Sequence, residues 1–338
     1  MRGSLRHWFR ITEEEERELW QTALLSFDAS ALLNIYAYSS NTRDELMKLL
    51  EANRERVRLP HQFGLEYSRN RAIVIVKQVN NYSQADKDLE SFEKKHLHPK
   101  KEHPHLSAES VNAISAVRSE LSARRKEIEM LIASDPYASR ILDIFTEKLS
   151  SRPTEQDLKL LHDTAAARYA KSVPPGYSDL KEKGAPDAYA DYIGWYQLIE
   201  IAKREQKGFI FVTDDLKDDW WLIIKDRTIG PRPELIEEFF REANQPLWLY
   251  TSESFLRAAK AFTGAEIRDD SIEELTQRLA SQLKSSRRSE QKPPFDEVRP
   301  IVSADKPFES AKSEGNEVSA DTNFTDSAKL TAYDEEQY

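Results

Sequence analysis

Residues 208–221 read GFIFVTDDLKDDWW, an apolar run followed by four aspartates within six residues and then by two tryptophans. The run GFIFVT (208–213) is rich in β-forming residues and bounded by charges, which predicts a central, buried strand. Neighbouring carboxylates repel one another unless they are solvated or neutralised. The aspartates therefore indicate either a solvated turn after the strand or a site for a cation.

The first part of the chain alternates between strand-like and helix-like segments. LLSFDASALLNIYA (24–37) begins as an apolar strand and then takes helical spacing, and NTRDELMKLLEANRE (41–55) is amphipathic. RVRLP (56–60) alternates like a short strand, and a helix begins near His61. This order of strand, helix, strand and helix predicts an α/β domain with a parallel sheet.

Strand signals disappear between about 75 and 170, where the spacing of apolar residues predicts a helical insertion. We expect its helices over 76–95, 115–134, 137–150 and 154–170. Further helices are expected over 187–206, 231–243 and 270–284, and PLWLYTSESFLRAAKAF (246–262) predicts a strand and then a Ser-capped helix. The remaining residues lack periodicity and are rich in Ser, Pro and charged residues, which predicts a disordered tail.

Composition excludes several classes of protein. The 338 residues include no cysteine, which rules out disulfides, thiolate catalysis and cysteine zinc sites. No apolar run approaches the roughly 20 residues that span a bilayer, and none follows the basic residues of the N-terminus, so we expect a cytoplasmic protein without a secretory signal. The net charge is −10, and residues 287–338 carry −5 of it, with 12 acidic against 7 basic residues. Net charge therefore neither supports nor excludes a phosphate-bearing substrate.

Six acidic residues lie where strands end or where the following helices begin: Asp28, Glu66, Asp187, Asp191, Asp214 and Asp215. In an open parallel α/β sheet these positions share the edge at which ligands bind. Carboxylates crowded at one edge repel one another unless cations that prefer oxygen ligands, such as Mg²⁺ or Mn²⁺, neutralise them. The sequence therefore predicts a cation site at this edge of the sheet.

Five segments together resemble the PIN-like nuclease domain family, in its bacterial form with a long helical insertion. They are FDASALLNIY (27–36), LPHQFGLEYSRNR (59–71), PPGYSDLKEKGAPDAYADYIGW (174–195), FIFVTDDLKDDWW (209–221) and PRPELIEEF (231–239). They occur in the order of the family and span most of residues 24–262, whereas the insertion is similar in character more than in residues.

The resemblance implies a three-layer α/β/α fold with a central, mainly parallel sheet. It also implies a metal-dependent nuclease, an endoribonuclease first of all, that hydrolyses phosphodiester bonds with a water activated by Mg²⁺ or Mn²⁺. Carried over position by position, the catalytic carboxylates are Asp28, Glu66, Asp191 and Asp215, and Asp214, next to Asp215, is a candidate further metal ligand. Asp187 is another candidate metal ligand, because its i,i+4 spacing to Asp191 on the predicted helix places both carboxylates on one face. One position departs from the pattern, since Ala190 stands where glycine is expected before the aspartate. Domains of this family are typical of toxins and of phage-defence systems.

Domain boundaries follow from the likeness and from the change in composition. We expect an N-terminal segment over 1–23, a PIN-like domain over 24–262 with its insertion at about 75–170, a C-terminal helix over 263–286 and a disordered acidic tail over 287–338. The insertion and the tail are where a second copy or a protein partner would bind.

Basic and hydroxyl side chains near the predicted edge are candidates for contact with substrate phosphates: Arg69, Arg71, Lys77, Thr213 and Arg232. The stretch KKHLHPKKEHPHL (94–106) holds four of the seven histidines and favours a basic loop over a zinc site. The expected partner is a nucleic acid, with RNA favoured over DNA, and no membrane contact is expected.

Each carboxylate also has a plain structural interpretation. Asp28 is a candidate helix cap, Glu66 a partner of Arg69 or Asn70, and the aspartates near 187–191 are suited to a helix N-terminus. Asp218 and Asp219 favour a solvated turn or a helix cap over a role as ligands, and the two tryptophans favour packing over base stacking. At the level of function, a non-catalytic nucleic-acid-binding or scaffold module and a metal hydrolase of small phosphate substrates stay open as alternatives.

Overall fold

A parallel sheet lies at the centre of the computed structural model, which describes residues 5–97 and 106–290 and, in the last helix, side chains up to residue 283. The strands within these described ranges are β1 (Leu24–Phe27), β2 (Phe209–Val212), β3 (Trp221–Ile224), β4 (Arg227–Pro231) and β5 (Leu247–Tyr250). The central sheet has the order β1-β2-β5, and both pairs are parallel. All residues of its strands are buried, as their continuous apolar sequences require.

Helices connect and cover the strands, and several begin directly where a strand ends. They are α1 (Glu13–Thr22), α2 (Ala29–Asn34), α3 (Ser40–Ala52), α4 (His61–His96), α5 (Ala108–Ala133), α6 (Pro136–Phe145), α7 (Glu155–Tyr169), α8 (Leu180–Lys183), α9 (Ala190–Glu205), α10 (Pro233–Ala243), α11 (Ser252–Thr263) and α12 (Asp269–Glu290). Asp28 caps α2 after β1, and Thr251 caps α11 after β5. The predicted serine cap of α11 is therefore wrong by one residue, because the Thr251 hydroxyl accepts the hydrogen bond from Ser254 N.

Aromatic contacts show that both faces of the sheet are covered. Phe27 pairs with Val212 in the β1–β2 register, so Phe27 and Phe211 point to opposite faces. Phe63 of α4 stacks on Phe211 with ring centroids 5.6 Å apart, and Phe255 of α11 meets Phe27 edge-on at 5.3 Å. The predicted three-layer α/β/α arrangement with a parallel sheet is confirmed.

The predicted strand over 56–60 is reduced to two isolated bridges. Val57 pairs with Leu25 of β1, whereas Leu59 pairs with Leu149, which lies within the predicted insertion. The two residues thus turn to different partners, and no continuous ladder forms. The segment still brings the start of α4 next to the end of β1.

Helices fill the described part of the predicted insertion. Helix α4 is continuous over 36 residues, which corresponds to a length of about 54 Å. It packs against α5, and Arg118 of α5 forms ion pairs with Asp86 and Glu93 of α4. This part of the insertion is therefore a long helical arm that continues the helix carrying Glu66, whereas α6 and α7 pack on α3 and α9.

A β-hairpin formed by β3 and β4 was not expected from the sequence. Its turn residues Lys225 and Asp226 both have positive φ, 47° and 61°, as a tight two-residue hairpin turn requires. Lys-Asp is not one of the glycine-containing pairs that identify such turns in a sequence. Helix α1 was also missed, although Thr12 and Glu15 form a capping box at its start.

None of the helices in the described ranges combines the length and the apolar character needed to cross a bilayer. Residues 98–105 and 291–338 lie outside the described residues. Most of the histidine-rich stretch and nearly all of the predicted tail belong to these segments, so the interpretations given for them stay predictions.

Candidate acidic site at the carboxyl end of the central strand

Four carboxylates and two lysines form one electrostatically connected group near the end of β2, which we call the acidic site. Its acids are Glu66, Asp179, Asp191 and Asp215, and its cations are Lys183 and Lys217. Glu66 comes from α4, Asp191 from the first turn of α9, and Asp215 from the loop after β2. Residues far apart in the sequence thus meet beside one strand end, as the topology of a parallel sheet predicts.

Asp191 is the least compensated acid of this group. Among the described residues, the strongest influences on its carboxylate are burial and neighbouring charges, and no hydrogen bond is among them. Burial raises its pKa well above the ordinary value, and the negative charges of Asp215, Asp179 and Glu66 raise it further, while Lys183 opposes them. The Asp191 carboxylate therefore favours a proton or an added cation.

Asp215 is held by its own loop. Its carboxylate accepts hydrogen bonds from the main-chain N–H of Lys217 at 3.1 Å and from Lys217 Nζ at 3.0 Å. Its own N–H donates to the Thr213 hydroxyl at 3.1 Å, and the indole N–H of Trp221 donates to its carbonyl at 2.7 Å. The position of the carboxylate is therefore fixed from both sides of the loop.

Asp179 is a member of the site that the sequence interpretation missed. It is buried and forms ion pairs with Lys183, at 2.5 Å, and with Lys217. Burial alone would raise its pKa, but the hydrogen bonds from the two lysines hold the pKa below its ordinary value. The spacing of Asp179 and Lys183, four residues apart in GYSDLKEKG, is the signal that would have indicated this pair.

Glu66 lies on the inner side of α4. Burial raises its pKa above the ordinary value, and the charge of Asp179 adds to this effect. A hydrogen bond from Gln62, at 3.0 Å, and the charges of Lys183 and Arg69 act in the opposite direction. Glu66 thus faces the acidic site, and the exposed Arg69 is its neighbour on the outer side.

Asp28 combines a structural contact with a place next to the site. Its carboxylate accepts hydrogen bonds from Ala31 N at 2.7 Å and from the hydroxyls of Ser30 and Thr213 at 2.8 and 2.6 Å. Thr213 also accepts the hydrogen bond from Asp215 N, so one buried hydroxyl links the two aspartates. Burial raises the pKa of Asp28 to about 7.

Asp214 points away from Asp215. Its oxygens accept hydrogen bonds from Ser252 N and Ser252 Oγ at 2.8 and 2.7 Å, and from Asn34 Nδ2 at 2.8 Å. Tyr38 donates a further hydrogen bond at 3.2 Å. The structure thus places Asp214, a predicted metal ligand, at the start of α11 rather than in the acidic site.

Asp187 is exposed and lies in a 3-10 turn over Asp187–Tyr189. Because α9 begins only at Ala190, the expected helical spacing between Asp187 and Asp191 does not form. The charged groups that act most strongly on Asp191 are Asp215, Asp179, Glu66 and Lys183, without Asp187.

Two of the predicted phosphate-binding residues have structural partners instead. Arg71 forms an ion pair with Asp135, which caps α6, and Arg232 donates to the carbonyl of Asp218. Lys77 is exposed on α4, about 16 Å along the helix from Glu66. Of the predicted basic contacts, Arg69 is therefore the one that lies beside the acidic site.

The end of the opening stretch, DDWW, is more buried than a solvated turn. Asp218 is exposed, but Asp219 is buried and accepts a hydrogen bond from Ser178 N at 2.9 Å, so its predicted place in a solvated turn is wrong. Trp220 packs on Phe211 and Trp195 with ring centroids 5.4 and 6.1 Å away, which agrees with a packing role.

The acidic site offers the type of ligand atom that a divalent metal ion prefers, but its acids lie too far apart to bind one as they stand. The acids offer only carboxylate oxygens, the ligands that Mg²⁺ and Mn²⁺ prefer. Among the described residues, however, no three acids or histidines converge closely enough to hold a metal ion. Lys217 already contacts two of the carboxylates, so binding of an ion requires the acids to rearrange around it.

The variant Asp28→Asn isolates the pH dependence that the buried carboxyl gives to folding. Its raised pKa means that Asp28 contributes stability that is full below 3.8 and is lost as the pH rises through about 7. In EDTA, the free energy of unfolding of the wild type should therefore fall relative to the variant across this range, by up to about 4 kcal/mol. Asparagine still caps a helix. Urea unfolding at several pH values measures the difference, and parallel pH curves would contradict the expectation.

Comparison with known families identifies the fold. The chain matches the family model described as PIN like domain over residues 24–235, a range that includes every member of the acidic site and Asp28. Comparisons with curated proteins and with solved structures find no match. Since the matched range covers more than half of the 338 residues, the chain belongs to the PIN-like domain family.

Proposed function

We propose that this protein is a metal-dependent endoribonuclease that hydrolyses phosphodiester bonds. PIN domains are generally nucleases, and the chain belongs to that family. The observation that carries the proposal is the meeting of Glu66, Asp191 and Asp215, from three separate elements, at the end of the central strand. A group of acids whose charge is only partly balanced by Lys183 and Lys217 is costly at a ligand-binding edge unless the protein uses it.

PIN domains typically use Mg²⁺ or Mn²⁺, and Asp191, Asp215 and Glu66 are the residues that would hold such an ion here. When bound, a divalent cation lowers the pKa of water and neutralises charge that develops on the phosphate oxygens. Thr213 orients Asp28 and the loop of Asp215 through two hydrogen bonds. Arg69, exposed beside Glu66, supports the approach of a phosphate backbone.

Labelled RNA and DNA, single- and double-stranded, test the proposal directly. We expect cleavage of single-stranded RNA in Mn²⁺ and none in EDTA, and we expect Asp215→Asn to lower the rate by about 10³-fold, because loss of a metal ligand removes several kcal/mol of transition-state stabilisation. Asp218→Asn is the matched control, since Asp218 belongs to the same loop but is exposed. Equal rates for the two variants would overturn the assignment of Asp215.

One observation favours a second candidate function, a non-catalytic nucleic-acid-binding module. The ammonium of Lys217 lies on Asp215, and the acids of the described residues are not spaced to hold a metal ion. This function predicts RNA binding that persists in EDTA together with an absence of cleavage in Mn²⁺. Filter binding and cleavage measured on the same RNA separate the two candidates.

A further inference from the structure

The ammonium group of Lys217 lies between carboxylates from two different segments of the acidic site. Nζ lies 3.0 Å from Asp215 Oδ2 and also contacts Asp179 Oδ1. Asp215 belongs to the loop after β2. Asp179 is 36 residues earlier in the chain and belongs to the turn before α8. One cation therefore connects two segments whose carboxylates would otherwise repel each other.

The local geometry fixes this lysine in place. Its main-chain N–H donates to Asp215 Oδ1, so the backbone and the side chain of Lys217 hold the same carboxylate. Burial would lower the pKa of Lys217, but the charges of Asp215 and Asp179 raise it above its ordinary value. Lys217 is therefore charged at neutral pH.

The acidic site has a net negative charge that a divalent cation would neutralise. Its four carboxylates and two ammonium groups sum to −2 when all are ionised, which one divalent cation neutralises. Asp179 is buried and already binds both lysines, whereas Asp215 is more exposed, with 19 % of its side chain accessible against 2 % for Asp179. Of the two partners of Lys217, Asp215 is thus the one that an incoming ion can reach.

We propose that Lys217 is an internal counter-ion that holds Asp215 in the cation-free protein and releases it to a divalent cation while staying paired with Asp179. The proposal rests on the proposed function for the use of such a cation. Two opposite consequences follow. The ammonium stabilises the cation-free fold, and it competes with the divalent cation for Asp215.

Lys217→Met tests both consequences at once. We expect the variant to bind Mn²⁺ at least about tenfold more tightly than the wild type in calorimetric titration, because a competing charge is gone. In EDTA, its melting temperature should be about 3 °C or more below that of the wild type, since Asp215 has lost its partner. A residue with only a structural role would lower stability without tightening the binding of Mn²⁺.

Two controls separate position from charge. Lys217→Arg keeps the positive charge and should bind Mn²⁺ with nearly wild-type affinity. Lys181→Met removes a charge from an exposed position in the same segment as Lys183, and it should leave both Mn²⁺ affinity and stability unchanged. If Lys217→Met does not fold in EDTA, Lys217→Gln, whose amide still donates a hydrogen bond, takes its place in the titration.

Unchanged or weaker Mn²⁺ binding by the folded variant overturns the proposal, and so does an absence of Mn²⁺ binding in both proteins. Cleavage is measured separately. If Lys217→Met binds Mn²⁺ more tightly than the wild type but neither protein cleaves any RNA, the proposed role of Lys217 is supported and the proposed nuclease activity is contradicted. If the wild type cleaves RNA but Lys217→Met binds Mn²⁺ with the same affinity as the wild type, the proposed nuclease activity is supported and the proposed role of Lys217 is contradicted.

Discussion

Asp191→Asn is expected to abolish Mn²⁺-dependent cleavage and, in EDTA, to make the protein more stable. The Asp191 carboxylate is half-buried among the charges of Asp215, Asp179 and Glu66, and asparagine of nearly the same size removes its charge. Loss of a ligand worth several kcal/mol in the transition state lowers the rate by about 10³-fold. Relief of the repulsion should raise the melting temperature by about 2–4 °C.

The opposite signs of these two effects make the test decisive. Replacing a residue that serves only packing lowers stability, whereas replacing a strained functional residue raises stability as activity is lost. Cleavage rates and melting temperatures in EDTA are both measured on the same preparations. Asp187→Asn is the matched control, since Asp187 is exposed and outside the acidic site, and neither quantity should change. Cleavage retained by Asp191→Asn, or lost through unfolding, would contradict the prediction.

The sheet was predictable because its strands are short, continuous apolar runs. FIFV and LWLY are buried on both faces, and the helices between them leave a parallel arrangement as the consistent topology. The β3–β4 hairpin was not predictable, because Lys225 and Asp226 adopt positive φ without glycine. Its strands also expose residues such as Ile224 and Ile229, which weakens the alternating pattern.

The candidate site was predictable at the level of the sheet edge but not at the level of each side chain. Asp214 and Asp215 are adjacent, and adjacent side chains on an extended chain point in opposite directions. The sequence therefore indicates that only one of the two side chains faces the site, but only the hydrogen bonds from Ser252 and Lys217 show that it is Asp215. The lysines of the site were missed as well, because a pattern of carboxylates does not indicate which cations lie among them.

Gly194→Ala is expected to be the most destabilising of these variants, because α9 crosses α4 at this residue without space for a side chain. A Cβ at position 194 would lie 2.2 Å from the ring of Phe63. Phe63 is fully buried and stacks on Phe211 of the central strand, so it has no room to withdraw. Alanine favours a helix by about 1 kcal/mol over glycine, but we expect the overlap to leave a net loss of about 2 kcal/mol or more.

The two helices that separate in this variant carry two acids of the acidic site, since Asp191 lies in the first turn of α9 and Glu66 lies one turn from Phe63. Mn²⁺ binding should therefore weaken together with stability, which urea unfolding and titration measure. Gly230→Ala is the control, because a Cβ there meets no atom within 4 Å. Combining Gly194→Ala with Phe63→Leu, which shortens the opposing side chain, should recover part of the stability if the clash is the cause. A loss that is additive in the double variant would place the cause elsewhere than in the contact between Gly194 and Phe63.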